Sequence, residues 1–292
     1  MFTYLFDRID RLGANIITYL SQILYCHKNQ YIIKFRNNSK DHYRYANSIF
    51  VKALFQYIDQ QNEAFYRMNI EDAEEVVLFD NQYDFPRTTT FTIDSLQQDM
   101  ISYYNDFLYD LIQPLFLSCV TRSRYSIPFD INKTILVHLR LGDVAHRNDY
   151  DGAICSEYYK QKIEKGEYCC NQYEFYGVCN EQSPLAKSKL ENILKIAQAE
   201  YPDYKVLLLT SPDSDTSFLN YEVIRNTDEN LDLYLLSMCK VTILSRSTYA
   251  LTSMFFNKEK EKTYIPLWGH FVCCGLDTQY DKNDASKRMY FY

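Results

Sequence analysis

One short stretch of this chain places reactive side chains where a buried element should carry none. Ile135-Leu136-Val137-His138-Leu139-Arg140-Leu141-Gly142-Asp143 has the pattern of an apolar strand, yet it ends in an imidazole, a guanidinium, a glycine and a carboxylate. In a strand Val137, Leu139 and Leu141 share one face while Leu136, His138 and Arg140 share the other, so two polar groups aim the same way near the strand's end. Ligands of open α/β sheets sit beyond the carboxyl ends of the strands, where Arg140, Gly142 and Asp143 fall. The planar fork of Arg140 suits a diphosphate, Gly142 lets backbone approach it, and a charge-assisted bond contributes about 1.5–3 kcal/mol. The competing reading is a structural Arg140–Asp143 ion pair beside a core His138. A broken local pattern favours the ligand site.

Three weaker constellations stand beside it. Ser245-Arg246-Ser247-Thr248-Tyr249 follows an apolar strand pattern and opens a helix. Hydroxyls and backbone donors at such a point suit an anion, although capping by Ser247 or Thr248 explains them equally well. Gly13, with Asn15 behind it, lies in the first strand-to-helix turn, where an ordinary turn competes with phosphate binding. Asp213-Ser214-Asp215 has the Asp-x-Asp spacing of a divalent-metal site, but Pro212 and the neighbouring Ser and Thr make a solvated turn the better reading. The nine cysteines, at 26, 119, 155, 169, 170, 179, 239, 273 and 274, contain no Cys-x-x-Cys pair. Free thiols are therefore expected rather than a zinc knuckle.

The elements that must position these residues follow from periodicity. Residues 2–6 form a short apolar run, the chain turns at 11–15, and Ile16, Ile17, Leu20, Ile23 and Leu24 recur at helical spacing. Strands are predicted at 31–35 and 75–79, with a helix at 45–58 between them. A long helix opens on a Ser95/Gln98 capping box, buries Met100, Ile101, Tyr104, Leu108, Leu111 and Ile112, and is expected to stop at Pro114. The second half predicts strands at 134–139, 205–210, 241–245 and 263–267. Helices are predicted from Ser183-Pro184 to before Pro202, near 232–239, and at 248–256. Residues 149–182 have neither period and are the candidate for a long loop over a cleft. Strands joined by helices describe a parallel, doubly wound α/β sheet.

The 292 residues carry 31 Lys plus Arg against 38 Asp plus Glu, a net charge of −7, and 47% of them are apolar. That composition fits a soluble globular protein of one large or two medium domains. The acidic balance excludes duplex nucleic acid as a main partner, because such binding depends on neutralising many phosphates. The best apolar run, at 111–120, is half the roughly 20 residues of a membrane span. Asp7, Arg8, Asp10 and Arg11 interrupt any secretion-signal core, so a cytoplasmic protein is expected.

His138-Leu139-Arg140-Leu141-Gly142-Asp143 resembles the His-x-Arg-x-Gly-Asp motif of the fucosyltransferase superfamily, which includes α1,2-, α1,6- and protein O-fucosyltransferases. The stretch from Arg11 to Tyr19 resembles that family's N-terminal Gly-Asn-Gln turn, with Ala14 and Asn15 at its Asn and Gln. Ser245 to Tyr249 resembles its late Ser-x-Ser-Thr-Phe element. The layout is most similar to that of the compact α1,2-enzymes, although Leu141 stands where they usually carry a second Arg.

The resemblance implies a GT-B-like α/β fold of two Rossmann-type domains facing across a cleft. Residues 1–130 would lie on the acceptor side and 131–292 would bind the donor. It further implies inverting, metal-independent transfer of fucose from GDP-fucose to a glycan hydroxyl, with no bound cofactor. Carried over by position, Arg140 would meet the β-phosphate, His138 would support the donor, and Ser247, Thr248 and Tyr249 would hold the pyrophosphate. Gly13, Asn15, Gly142 and Ser245 would line the same site, and Asp232 falls where the family has an acidic residue. A base for the acceptor hydroxyl is sought among Asp143, Asp10 and Asp7.

Overall fold

A computed structural model describes residues 1–7, 11–66, 110, 112–123, 125–141, 185, 187–217, 219–226, 228–257, 259–266 and 289–292. The predicted strand at 75–79, most of the helix opening at Ser95, the segment 149–182 and the Ser183-Pro184 start signal lie outside the described residues. The chain divides into two compact units, Met1–Ser126 with Phe255–Lys258, and Ile127–Met254 with Glu259–Tyr292.

In the first unit β1 (Phe2–Tyr4) pairs in parallel with β2 (Ile32–Lys34), and α1 (Leu12–Asn29) connects them. Leu12, Ile16, Tyr19, Leu20, Ile23 and Leu24 form the buried stripe of α1; of the predicted recurrence Ile17 alone is only half-buried. The side chain of Gln22 behaves as one residue of an extra strand. Its Oε1 accepts the Phe6 amide at 2.7 Å and its Nε2 donates to the Phe6 carbonyl at 3.0 Å, which fixes the exit of β1.

The second predicted helix starts later and runs further, as α2 (Ile49–Tyr66). Residues 45–48 are instead turn, with Tyr45 at φ 59°. Pro114, where the long helix is expected to stop, lies instead inside α3 (Gln113–Ser123), one residue after its start, and Ile112 already winds in a wide turn. Proline lacks an N–H, which a first turn does not need, so Pro114 opens a helix. Phe50 and Phe116 stack at 4.7 Å between centroids, and Phe256 closes edge-on against Phe50 at 4.7 Å.

The second unit is a six-stranded, wholly parallel sheet. Its strands are β3 (Thr134–His138), β4 (Lys205–Thr210), β5 (Glu222–Arg225), β6 (Val241–Ile243), β7 (Lys262–Ile265) and β8 (Met289–Phe291). Their order is β5-β4-β3-β6-β7-β8, so β3 is central and the order of winding reverses between β3 and β6. That is the strand order of Rossmann-type sheets. Strands β5 and β8 are not among the predicted strands: β5 has only two apolar residues, and β8, though apolar, is three residues long.

One face of the sheet presents Ile135, Val137, Leu139, Leu141, Val206, Leu208, Val241 and Ile243 to α4 (Lys187–Glu200). The helix answers with Leu190, Ile193, Leu194 and Ala197, spaced i, i+3, i+4 and i+7, and Pro202 bars its continuation. Leu136, His138 and Thr242 occupy the other face. There α5 (Glu229–Met238) begins on an Asp228 cap that accepts the Asn230 amide at 2.9 Å.

The C-terminal carbonyls of α5 meet a buried lysine amine. Lys260 Nζ donates to the Leu236 carbonyl at 2.6 Å, to the Cys239 carbonyl at 3.1 Å and to Thr242 Oγ1 at 3.4 Å. Cations favour helix C-termini, but desolvation of Lys260 pulls its pKa from 10.5 down to about 7. Between those values the unfolded chain holds a proton that the folded chain has released, so stability rises with pH across that window. In urea denaturation from pH 7.5 to 9, the wild type should gain stability relative to Lys260→Met by up to about 1.4 kcal/mol per pH unit. A pH-independent difference between the two proteins would show that the amine titrates normally.

Candidate functional site

The strongest sequence motif lies at the carboxyl end of the central strand. Thr134–His138 is buried throughout, and pairing continues one residue further, because the Leu139 amide donates to the Leu209 carbonyl at 2.8 Å. Thr210 Oγ1 donates to the Leu139 carbonyl at 3.0 Å, so the backbone on which Arg140 stands is fastened from β4. Arg140 itself is half-buried. Gly142 and Asp143 lie outside the described residues, as does Asp10.

On the other side of the reversal β6 ends at Ile243, two residues before the predicted limit. The chain then bends sharply about Arg246, the Ser247 amide donating to the Ser245 carbonyl at 2.8 Å, and enters the short helix α6 (Thr248–Thr252). Ser247 caps that helix by accepting the Ala250 amide at 3.5 Å. The predicted helix at 248–256 is thus α-helical only to Thr252 and continues as a 3₁₀ turn, Ser253–Phe256.

These two strand ends are joined. His138 Nδ1 lies 2.6 Å from Ser245 Oγ, a bond between residues 107 apart in sequence. His138 is 9% exposed and Ser245 4%. Burial, and then the Arg140 guanidinium, hold the imidazole pKa down at about 3, so the ring is neutral at physiological pH. The Tyr249 ring lies 5.9 Å from that of His138, and the Tyr249 hydroxyl donates to the Glu229 carbonyl in the first turn of α5. Burial and then the Asp232 and Glu229 carboxylates push the Tyr249 phenol upward, so it stays a neutral donor.

Asp232 belongs to the same neighbourhood. It accepts a 2.6 Å hydrogen bond from Asn226 Nδ2, a partner that no sequence signal marks. Burial raises its pKa to about 6, against the lowering effect of Asn226. The second unit thus brings together His138, Ser245, Tyr249 and Asp232, with Arg140 and Ser247 on the chain segments that leave β3 and β6. Thr248, half-buried, opens α6 beside them.

The sequence did not announce the burial of Arg246. It is 1% exposed and is the largest fully buried side chain of the described residues. Its charge lowers the phenol of Tyr292 against a larger rise caused by burial. Tyr292 in turn donates its hydroxyl to the Leu244 carbonyl at 3.0 Å, bracing the exit of β6.

The remaining candidates are described by their own surroundings. Gly13 and Asn15 fall within the first turn of α1 in the first unit, where Asn15 Nδ2 donates to the Arg11 carbonyl at 3.1 Å. Asp7 accepts the Tyr19 hydroxyl at 2.8 Å and the Arg44 amide at 3.1 Å. Asp215 accepts the Ser217 amide at 2.9 Å, which fits a turn. No group of three or more His, Cys, Asp or Glu able to hold a metal ion occurs among the described residues. Among them, too, no helix is long and apolar enough to cross a membrane.

Comparison with known proteins adds little to these observations. No family model and no curated protein matches the sequence. Among solved structures, POFUT1 in complex with GDP-fucose superposes with a TM-score of 0.28 at 10% identity, over 80% of this chain and 66% of that chain. This chain thus spans just under two thirds of that one. At so low a score the α/β fold rests on this chain's own strand order.

Asp232 yields a direct test. Between about pH 4 and 6 the folded protein holds a proton on Asp232 that the unfolded chain has lost, so wild-type stability falls through that window as pH rises. Asp232→Asn keeps an acceptor for Asn226 and loses the titration. Its stability relative to the wild type should climb by about 1–3 kcal/mol between pH 4 and 6 and then level off. A constant difference measured from pH 4 to 7 would remove the buried-carboxylate reading.

Proposed function

We propose that the second unit binds the diphosphate of a nucleotide sugar and that the protein is a glycosyltransferase, with GDP-fucose as donor and a glycan hydroxyl as acceptor. One observation carries the reading: a bond from His138 to Ser245 at the β3–β6 reversal of a parallel sheet, two residues from Arg140. Ligands of such sheets bind at the reversal, and the residues gathered there are those whose order resembles the fucosyltransferase pattern. That resemblance supports the choice of guanosine and fucose, a GT-B-like arrangement with residues 131–292 on the donor side and 1–130 on the acceptor side, and independence of any metal or bound cofactor.

The chemistry fits the groups present. Breaking the sugar–phosphate bond leaves growing negative charge on the diphosphate while the sugar becomes oxocarbenium-like. Arg140 supplies a permanent cation for that charge, and fixed donors around a developing anion are usually the largest catalytic term. His138, neutral at working pH, contributes a hydrogen bond rather than a charge. Gly142 lets backbone approach the phosphates, while Ser247 and Thr248 offer hydroxyls. Tyr249 and Asp232 flank the nucleotide, and Gly13 and Asn15 are assigned to the same reaction from the first unit. The acceptor's base is assigned among Asp143, Asp10 and Asp7, with Asp143 the nearest in sequence to Arg140.

Calorimetry with GDP, GDP-fucose, GDP-mannose and UDP-sugars should show binding of the guanosine compounds alone. A preference for UDP-sugars would replace the donor while keeping the fold. Release of GDP from GDP-fucose should accelerate with a suitable glycan acceptor and persist in chelator, and Arg140→Ala should lower kcat by roughly 100- to 1000-fold. Binding without release under any acceptor would make the protein a nucleotide-binding module, and full activity in Arg140→Ala would overturn the mechanism.

A further inference from the structure

The bond between His138 and Ser245 exists in two chemically different forms. Either the Ser245 hydroxyl donates to Nδ1, and the ring carries its hydrogen on Nε2, or Nδ1–H donates to the hydroxyl oxygen, and Nε2 is a bare acceptor. A doubly protonated ring is excluded in the free protein, because burial and Arg140 keep the imidazole neutral.

The surroundings choose between the two forms. Ser245 Oγ makes no other side-chain hydrogen bond among the described residues, and its side chain is buried. If Nδ1–H donates, the hydroxyl hydrogen is left in the interior with no acceptor among those residues, an unsatisfied buried donor. If the hydroxyl donates, that hydrogen is satisfied and Nε2–H remains. Nε2 makes no hydrogen bond to the described residues. For an anion, Nε2–H is attractive, whereas a bare Nε2 lone pair would face it with like polarity.

We propose that Ser245 is a positioning residue and not a ligand contact: its hydroxyl donates to His138 Nδ1 across the β3–β6 reversal and so fixes the imidazole in the Nε2–H form, a neutral donor to a nucleotide diphosphate. The ligand half of this statement rests on the donor reading above, and the tautomer half does not. The assignment separates two roles that the family resemblance merges, since Ser245 then acts through His138. It also explains why a residue just past β6 has its hydroxyl turned back to β3.

Nitrogen-resolved NMR of the imidazole rings in the whole protein tests it, with the His138 signals among those of the five histidines identified by their loss in His138→Gln. The wild type and Ser245→Thr should show an unprotonated Nδ1 and a protonated Nε2 at pH 7. Ser245→Ala should show a mixture of tautomers and bind GDP about tenfold more weakly, with a KM for the donor that rises more than kcat falls. His138→Gln, whose amide can place a donor near the Nε2 position, should retain more GDP affinity than His138→Asn.

A wild-type ring protonated on Nδ1 overturns the proposal; this reading is made on the wild type, with His138→Gln used only to assign the signals. Unchanged tautomer and unchanged GDP affinity in Ser245→Ala overturn it equally. A wild type that shows Nε2–H but binds no GDP overturns the donor reading and the ligand half with it, while upholding the positioning of the ring by Ser245.

Discussion

The second unit is organised around a constraint that parallel sheets impose. Every strand of such a sheet ends at the same edge, and neighbours wound in opposite senses leave a gap between the connections at the reversal. Here that gap lies between β3 and β6, and the chain has put a histidine at one lip and a serine at the other, 2.6 Å apart. Two segments more than a hundred residues apart in sequence are thus registered to one another by a side-chain bond just where the main-chain ladder stops. The surrounding bonds serve the same end. Thr210 fastens the Leu139 carbonyl from β4, and Tyr292 fastens the Leu244 carbonyl from beyond β8, so both lips are braced from outside.

Burial sets the electrostatics of this edge. His138 lies deep enough to be neutral, Asp232 deep enough to hold its proton up to about pH 6, and the Tyr249 phenol is held protonated. Groups that would normally carry or readily change charge are thus biased toward their neutral forms, leaving guanidinium as the cation that burial cannot neutralise. Lys260 illustrates the same rule far from the site, where the fit to three acceptors at the end of α5 coexists with a strong tendency to lose its proton.

Much of this was legible in the sequence, and the reasons for the gaps are physical. Alternation along 135–141 assigned faces to the central strand, and the structure gives Ile135, Val137, Leu139 and Leu141 to the α4 core while His138 faces away. Strands buried on both sides read as continuous apolar runs, hence the recognition of β3, β4 and β6. Strand β5, Glu-Val-Ile-Arg at the sheet's edge, is only partly buried and carries no such signal. Pro114 misled because proline breaks a helix in its interior but suits its first turn, and local sequence does not say which turn is meant. Lys260 sits in the alternating run Lys258-Glu259-Lys260-Glu261-Lys262, which reads as solvated. Only the tertiary placement of the α5 carbonyls makes one of its lysines internal.

The two arginines of the candidate site show most clearly what sequence leaves open. Each follows an apolar strand, and each stands next to residues able to bind an anion, so local pattern treats Arg140 and Arg246 alike. The structure separates them by depth: Arg140 is half-buried beyond β3, whereas Arg246 is enclosed at the centre of the tight turn beyond β6. A fully enclosed guanidinium acts on its own surroundings, as on the Tyr292 phenol, and through the shape of the turn it occupies. That turn presents Ser245 to His138 and Ser247 to the α6 amide. The distinction depends on where the chain bends after β6, a property of three residues and one 2.8 Å hydrogen bond that no pattern of residue types encodes.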